Sequence, residues 1–228
     1  MTKDPKWFDN PAITDQMWPA TIETLLMTAW STALAVLIGL PLGIWLYSTR
    51  RSGRNGNLFM RIFYYLLSAI VDVSRSIPYI ILVIALIPIA RFVVGSALGW
   101  QATVVSLTIG AIPFYARLVE NALREVSEGK IEAALMMGAS SGQVVRQVYI
   151  PEAKPGLIGA ATVTSVTLVS YTAMAGAVGG GGLGALAISY GYQRYQLDTM
   201  LACIIVLVLI VTIIQITGNI WARVVDHR

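Results

Sequence analysis

Apolar stretches long enough to cross a lipid bilayer recur along this chain, and they constrain its fold more than any other feature. A membrane-spanning helix needs about 20 mainly apolar residues. Only 12% of the residues are charged, whereas a soluble domain has roughly 25%. The sequence predicts an all-α, polytopic membrane protein with five transmembrane helices in one domain, residues 21–222. The predicted spans cover about residues 24–47, 58–90, 101–123, 156–174 and 200–221.

The distribution of arginine and lysine predicts the orientation of these spans. With an odd number of spans, the two termini lie on opposite sides of the membrane. Eleven basic residues fall on one predicted side and four on the other, and such residues collect in cytoplasmic loops. The sequence therefore predicts an extracytoplasmic N-terminal segment, residues 1–20, and a cytoplasmic tail, residues 223–228.

The stretch 58–90 is too long for one straight crossing and is interrupted by charges and a proline. Pro78 removes a backbone donor, so we expect one kinked or broken helix. Asp72 and Arg75 are three residues apart, where they can partly neutralise each other. Ionisable groups inside spans are usually functional, although a structural pair that fixes the kink fits equally well. The alternative is a tight hairpin that crosses twice, with the N-terminus then inside.

Between the third and fourth predicted spans, the residue pattern predicts two short helices separated by a glycine. Ser127 is a candidate N-cap for the first helix, and Gly138 is suited to the left-handed backbone at its end. Ser140 and Gln143 form a capping-box pattern for the second helix. We expect Pro151 to end that second helix.

The same loop, residues 127–154, resembles the EAA motif of binding-protein-dependent ABC importer permeases. The matching residues are Glu132, Ala133, Ala134, Gly138, Val148, Ile150 and Pro151. The resemblance implies a type I ABC importer permease fold, in which this coupling helix docks on a separate ATPase subunit. Small residues at 133 and 134 would fit closely into a groove of that partner, and Glu132 would supply an anchoring charge. Taken alone, the Glu-Ala-Ala triplet is ordinary helix composition.

Segments elsewhere in the chain resemble the permease of the methionine importer. They are residues 75–82, 116–123, 171–179 and 190–192. The resemblance implies a bacterial inner-membrane homodimer that pairs with two ATPase subunits and receives methionine, in its L and D forms, from an extracytoplasmic methionine-binding protein. The cargo rests on resemblance alone, and related permeases carry other amino acids or small organic solutes.

The end of the fourth span and the glycine-rich loop after it form the candidate translocation path or outer gate. Its residues are Ser170, Tyr171, Met174, Gly176, Gly179 and Gly180. Glycines let a loop change conformation, and Met174 is a flexible apolar side chain suited to a thioether cargo. The alternative, that these glycines only permit a tight turn and close helix contact, stays open.

Other chemical signals in the sequence are absent or out of context. No G-x-x-x-x-G-K-[ST] loop occurs, so we expect ATP and Mg²⁺ on the partner ATPase subunit. The range 179–184 fits a dinucleotide pattern without a preceding strand. Residues 138–142 fit a nucleophile elbow, but the only histidine is His227. We expect a permease without catalytic residues, metal, cofactor or nucleic-acid partner. The rival is an ion-coupled secondary transporter that uses Asp72 and Arg75, although no inverted repeat is visible.

Overall fold

The computed structural model describes residues 10–54 and 58–226, and all regular structure within these two ranges is helical. The helices are α1 Met17–Arg54, α2 Leu58–Ser76, α3 Tyr79–Ala85, α4 Ile87–Val94, α5 Trp100–Arg124, α6 Glu128–Met136, α7 Ser141–Val144, α8 Ile150–Gly176, α9 Gly182–Leu186 and α10 Leu197–Val225. The first nine residues of the predicted N-terminal segment lie outside the description, as do His227 and the last residue of the tail.

Four helical runs among the described residues are long and apolar enough to cross a membrane. They are Ala12–Arg50, Trp100–Arg124, Ser141–Gly176 and Leu197–Val225. Helices α2 and α3 pass the same test together and form a fifth span if they act as one. The predicted all-α polytopic membrane fold is confirmed, and this bent pair lies within the second predicted span, residues 58–90.

The break between α2 and α3 lies at Pro78 and is much sharper than a kink. The two helix axes meet at 99°. Pro78 has an extended ψ of 130° and precedes the first residue of α3. Since proline cannot donate the hydrogen bond that a continuous helix would need, the helix is interrupted here. The chain then continues through α4 to Gly95, whose φ of 79° ends that helix.

Helix α5 is the centre of the bundle and packs against both α1 and α8. Gly43 of α1 permits the close approach to α5, because a Cβ there would lie 2.6 Å from the carbonyl oxygen of Ala116. Buried side chains such as Tyr115 and Leu123 fill the end of the bundle next to α6, while Leu107 and Leu168 fill its middle. We call the end that carries residues 127–154 the α6 end, and the end that carries residues 176–184 the glycine-loop end.

Pro151 does not end a helix, so that prediction is wrong. A single helical run extends from Ser141 to Gly176. Residues 145–149 form a wider π-helical turn, and Pro151 sits in the first turn of α8 directly after it. Proline is tolerated at that position because its missing N–H is not needed there. The second half of the loop 127–154 is therefore helical and continuous with the predicted fourth span.

Candidate functional site

Helix α6 begins and ends where the sequence predicts. Ser127 occupies the N-cap position, but its side chain makes no capping hydrogen bond among the described residues. At the other end, Gly138 has a φ of 82°. The backbone N–H of Ala139 donates to the carbonyl of Ala134 at 3.1 Å, which closes the last turn. The glycine stop is confirmed.

The predicted capping box at the start of α7 is confirmed. The N–H of Ser140 donates to Oε1 of Gln143 at 2.7 Å, and the N–H of Gln143 donates to Oγ of Ser140 at 3.4 Å. These reciprocal bonds satisfy backbone donors that a helix start otherwise leaves free. They hold the second helix at a defined angle after Gly138.

Helix α6 has an inner face and an exposed face. Ile131 and Ala134 are three residues apart and pack into the core of the chain. Glu132 and Ala133 are exposed. Of the predicted docking residues on α6, Glu132 and Ala133 lie on the accessible face, whereas Ala134 is covered by this chain itself. Their docking role stays a prediction.

Two methionines extend the exposed face of α6 to its end. Met136 is 90% exposed and Met137 is 83% exposed. Of the remaining predicted docking residues, Val148 packs against the core, Ile150 is half-buried and Pro151 is exposed. Val148 and Ile150 therefore pack this segment against the rest of the chain, while Glu132, Ala133 and the two methionines are accessible.

An ion pair fixes α6 to the start of α8. Nζ of Lys130 lies 2.6 Å from Oε2 of Glu152. Both side chains are accessible to water, so the pair contributes little free energy. Its effect is geometric, since it joins two helices that are not adjacent along the chain.

The predicted pair of Asp72 and Arg75 is part of a larger group of charges. Nη1 of Arg75 lies 3.8 Å from Oδ1 of Asp72, but Nη2 of Arg117 lies only 2.8 Å from Oδ2. Nη2 of Arg117 also donates to Oγ of Ser68 at 2.7 Å. Asp72 therefore joins α2 to α5, a link between helices that the sequence did not reveal.

Glu120 is the buried centre of this group. Its side chain is 0% exposed and pairs with Nη1 of Arg117. The Tyr64 hydroxyl donates to Oε1 of Glu120 at 3.1 Å, and Nη1 of Arg50 lies 3.7 Å from the same oxygen. A buried carboxylate is tolerated only with such partners. We call Asp72, Arg75, Arg117 and Glu120 the charge cluster.

The glycine-loop end is held by side chains from α1. Oε2 of Glu23 accepts a hydrogen bond from the N–H of Gly182 at 2.7 Å, and Oγ1 of Thr24 accepts one from Leu183 at 2.9 Å. Gly182 has a φ of 71°. Glu23 therefore caps the start of α9, a role that nothing in its local sequence indicates.

Close backbone contact explains several glycines of this loop. A Cβ on Gly176 would collide with the backbone of Gly184 and Ala185. A Cβ on Gly184 would likewise collide with the backbone of Ala173. The structure thus contains the close helix contact that was one of the two interpretations of these residues. A gate function for the loop stays a prediction.

The remaining predicted gate residues divide into a packed set and an exposed set. The Tyr171 ring stacks on the Tyr79 ring, with centroids 4.5 Å apart and planes at 1°. Gly179 and Gly180 meet the start of α5, where the Gly179 carbonyl accepts a bond from Gly99 at 2.9 Å. In contrast, Ser170 and Met174 are exposed. They line an apolar groove with Val169, Ala173, Leu207, Val208, Val211 and Thr212.

The sequence from residue 39 to 228 matches the family described as the binding-protein-dependent transport system inner membrane component. This chain belongs to that family. As one of its permeases, the chain is a membrane-embedded transport subunit. Family membership supports the importer interpretation of the whole chain over an ion-coupled secondary transporter.

Curated relatives of this permease align along nearly their whole length. The probable D-methionine transport system permease protein MetI of Vibrio cholerae is 46% identical over 214 residues, which are 94% of each chain. The methionine import system permease protein MetP of Bacillus subtilis is 44% identical over 223 residues, covering 98% of this chain and 99% of the relative.

A solved structure has the same fold as this permease. A chain of the MetNI methionine ABC transporter in an inward-facing conformation superposes with a TM-score of 0.87 at 47% identity. The match covers 92% of this chain and 96% of the solved one. The bent second span and the α6 loop are therefore parts of an ABC transporter permease fold.

Proposed function

We propose that this permease moves methionine, in both L and D forms, into the cytoplasm with energy from a separate ATPase subunit. The observation that carries the proposal is the nearly full-length similarity to relatives that are named for methionine transport, at 44 to 46% identity. The D form is supported by the name of the Vibrio cholerae relative.

The proposed assembly contains two copies of this chain, two ATPase subunits and an extracytoplasmic methionine-binding protein. Its support is that the structural neighbour is a chain of an ABC transporter complex. ATP and Mg²⁺ would bind on the ATPase subunits. In such a dimer, the groove between α8 and α10 would face a path between the copies, with Met174 at its surface.

The exposed face of α6 is the proposed docking surface for the ATPase subunit. Met136 and Met137 are large apolar side chains in a segment rich in polar and charged residues, where exposed apolar surface indicates a partner. Methionine also adapts its shape to a groove. Glu132 would anchor the start of this surface, and Gly138 would set its angle.

The proposed orientation places the α6 end in the cytoplasm and residues 1–20 outside. Arg124, Lys130, Arg146 and Lys154 belong to the α6 end, and basic residues favour the cytoplasmic side. The glycine-loop end then lies on the outer side, where an outer gate of Tyr171, Met174 and the adjoining glycines would receive the cargo.

Transport in vesicles tests the proposed function. The permease is purified with its ATPase subunit, reconstituted into liposomes with the binding protein outside, and supplied with labelled L-methionine. We expect uptake only with ATP on the ATPase side, and competition by unlabelled D-methionine but not by histidine or leucine. Uptake by this chain alone without ATP would contradict the importer, and competition by another amino acid would contradict the cargo.

A further inference from the structure

The charge cluster lies where α5 leads into the coupling helix, and the docking surface does not explain it. Arg117 is seven residues before the end of α5 at Arg124, which is about two helical turns. Arg117 and Glu120 belong to α5, while Asp72 and Arg75 belong to α2. Any movement that the partner imposes on α6 therefore reaches this cluster first through α5.

One half of the cluster is fixed. Glu120 is fully buried and is bound by Arg117 on its own helix, while Nη1 of Arg50 on α1 lies 3.7 Å from its Oε1. Removing one partner from a buried ion pair leaves a charge without compensation, which is strongly unfavourable. Arg117 is itself only 13% exposed. We therefore expect Arg117 and Glu120 to stay together in every conformation of α5.

The other half of the cluster is exchangeable. Asp72 is 56% exposed and lies between two arginines, with Arg117 on α5 at 2.8 Å and Arg75 on its own helix at 3.8 Å. If α5 moved away, Asp72 could close the short distance to Arg75. The carboxylate would then exchange one cation for another, and no charge would be left alone.

Helix α2 is held by α1 as well as by α5, and the Phe63 ring lies 5.5 Å from the Trp45 ring of α1. Among its residues, all of which the structure describes, Val71 is the only fully buried one. The polar links of Tyr64, Ser68 and Asp72 attach the same helix to α5, so a shift between α2 and α5 would act on these links. Two alternative packings of similar free energy are what a conformational switch requires.

The far end of α2 leads to the candidate gate. After the break at Pro78, the first residue of α3 is Tyr79, whose ring stacks on Tyr171 of α8. The hydroxyl of Tyr79 also lies 3.3 Å from Oγ of Ser106 on α5. A shift of α2 relative to α5 would therefore act on this aromatic contact.

We propose that Asp72 is a positioning residue that exchanges between Arg117 and Arg75 during the transport cycle, so that movement of the coupling helix is passed through α2 to Tyr79 at the gate. The inference rests on the proposed function, because it needs an ATPase subunit that moves α6. It assigns to Asp72 a role in coupling ATP hydrolysis to uptake.

The test compares uptake per ATP hydrolysed in the reconstituted complex, for the unmodified chain and for single substitutions. Asp72→Asn removes the inter-helix link, so we expect hydrolysis to continue while uptake per ATP falls about fivefold or more. Asp72→Glu keeps the charge and should restore most of the loss. Asp15→Asn is the matched control, since it removes an exposed carboxylate outside the cluster.

Arg75→Gln separates exchange from a static contact. It leaves the short Asp72–Arg117 link intact, so the amount of assembled complex should equal that of the unmodified protein, and the thermal midpoint should fall no further than loss of the Arg75 contacts explains. The exchange mechanism nevertheless predicts that uptake per ATP falls about two- to tenfold, because Asp72 loses its second partner. Arg75 also lies over the Phe114 ring at 5.4 Å, so Arg75→Lys, which keeps the charge, should retain uptake.

Two results would overturn the inference. One is an Arg75→Gln permease that behaves like the Asp15→Asn control, which would make the cluster a static contact. The other is an Asp72→Asn permease whose uptake per ATP is unchanged. Both are measured with whichever amino acid the unmodified complex takes up, so an error in the cargo leaves this test intact. Failure of the unmodified chain to assemble with an ATPase subunit would overturn both proposals.

Discussion

The α6 end and the glycine-loop end each insert a short helix between two long ones, but they use it in opposite ways. Two of the nine residues of α6 are buried, whereas four of the five residues of α9 are buried. A Cβ on Gly138 would meet nothing within 4 Å, while one on Gly184 would collide with Ala173. One helix is left accessible to a partner, and the other is packed into its own chain.

The two ends also differ in how their helices are capped. The start of α7 is capped by Ser140 and Gln143, which are three residues apart. The start of α9 is capped by Glu23 and Thr24, which are 159 residues away from the groups they bind. The cap of α7 therefore depends only on neighbouring residues, whereas the cap of α9 forms only when α1 is packed beside it.

Substituting Gly184 by valine should have the largest effect, because a side chain there disrupts the backbone contact between α8 and α9. The backbone of Ala173 leaves no room for a side chain, and overpacking of this kind costs about 1–3 kcal/mol or more. We expect loss of α9 packing, a lower thermal midpoint of the purified permease and loss of transport. Thermal unfolding in detergent measures the first effect, and uptake measures the second.

Gly159→Ala is the control for that substitution. Gly159 lies inside α8, and a Cβ there would meet nothing within 4 Å, so alanine should be neutral or should stabilise the helix by about 0.5–1 kcal/mol. Equal thermal midpoints for the Gly184→Val and Gly159→Ala permeases would show that the close backbone contact at Gly184 does not stabilise the packed end.

The substitutions Ala133→Arg and Ala134→Arg, made separately, should distinguish an effect on ATPase binding from an effect on folding. Ala133 is exposed, so Ala133→Arg should change the free energy of unfolding by no more than about 0.5 kcal/mol while it prevents binding of the ATPase subunit. Ala134 is buried, so Ala134→Arg should lower the midpoint as well. Co-purification of the ATPase subunit and thermal unfolding are measured together. Normal ATPase binding by the Ala133→Arg permease would remove that residue from the docking surface.

Glu23→Ala should have an intermediate effect on the packed end. It leaves the N–H of Gly182 without its acceptor, and a lost hydrogen bond to a charged group costs about 1.5–3 kcal/mol. Glu23→Gln keeps an acceptor oxygen and should cost less. Both are measured by the thermal midpoint. If the two substitutions lowered stability equally, the charge and not the hydrogen bond would explain the role of Glu23.

Ser140→Ala should have the smallest effect, because it removes only a local cap. The loss of an N-cap side chain costs about 1 kcal/mol, and a small fall in uptake should accompany it as α7 frays. Ser141→Ala is the matched control, since Ser141 lies inside α7 and is exposed. A larger loss from Ser141→Ala would show that the capping box does not position the loop.

Local signals in the sequence predicted the α6 end well. The Gly138 stop and the capping box depend on residues a few positions apart, and the break at Pro78 follows from a missing donor. Pro151 misled the prediction because a proline after a helix and a proline in the first turn of the next helix look alike in sequence. The burial of Ala134 could have been found from its three-residue spacing to Ile131.

Contacts between distant segments could not be predicted in the same way. The cap from Glu23 to Gly182 and the link from Asp72 to Arg117 join helices whose relative placement no local pattern specifies. The spacing of Asp72 and Arg75 indicated a pair on one helix, and the shorter link to α5 appeared only in the folded chain. Sequence reasoning therefore found the charges but not the helix that they bind.

Site-specific cross-linking tests the central claim, that the exposed face of α6 binds the ATPase subunit. A photoreactive amino acid is placed at Met137 or, as the control, at Tyr195, which is 89% exposed and lies two residues before α10. The account predicts a cross-link to the ATPase subunit from position 137 and none from position 195. No cross-link from position 137, or equal cross-linking from both, would contradict it.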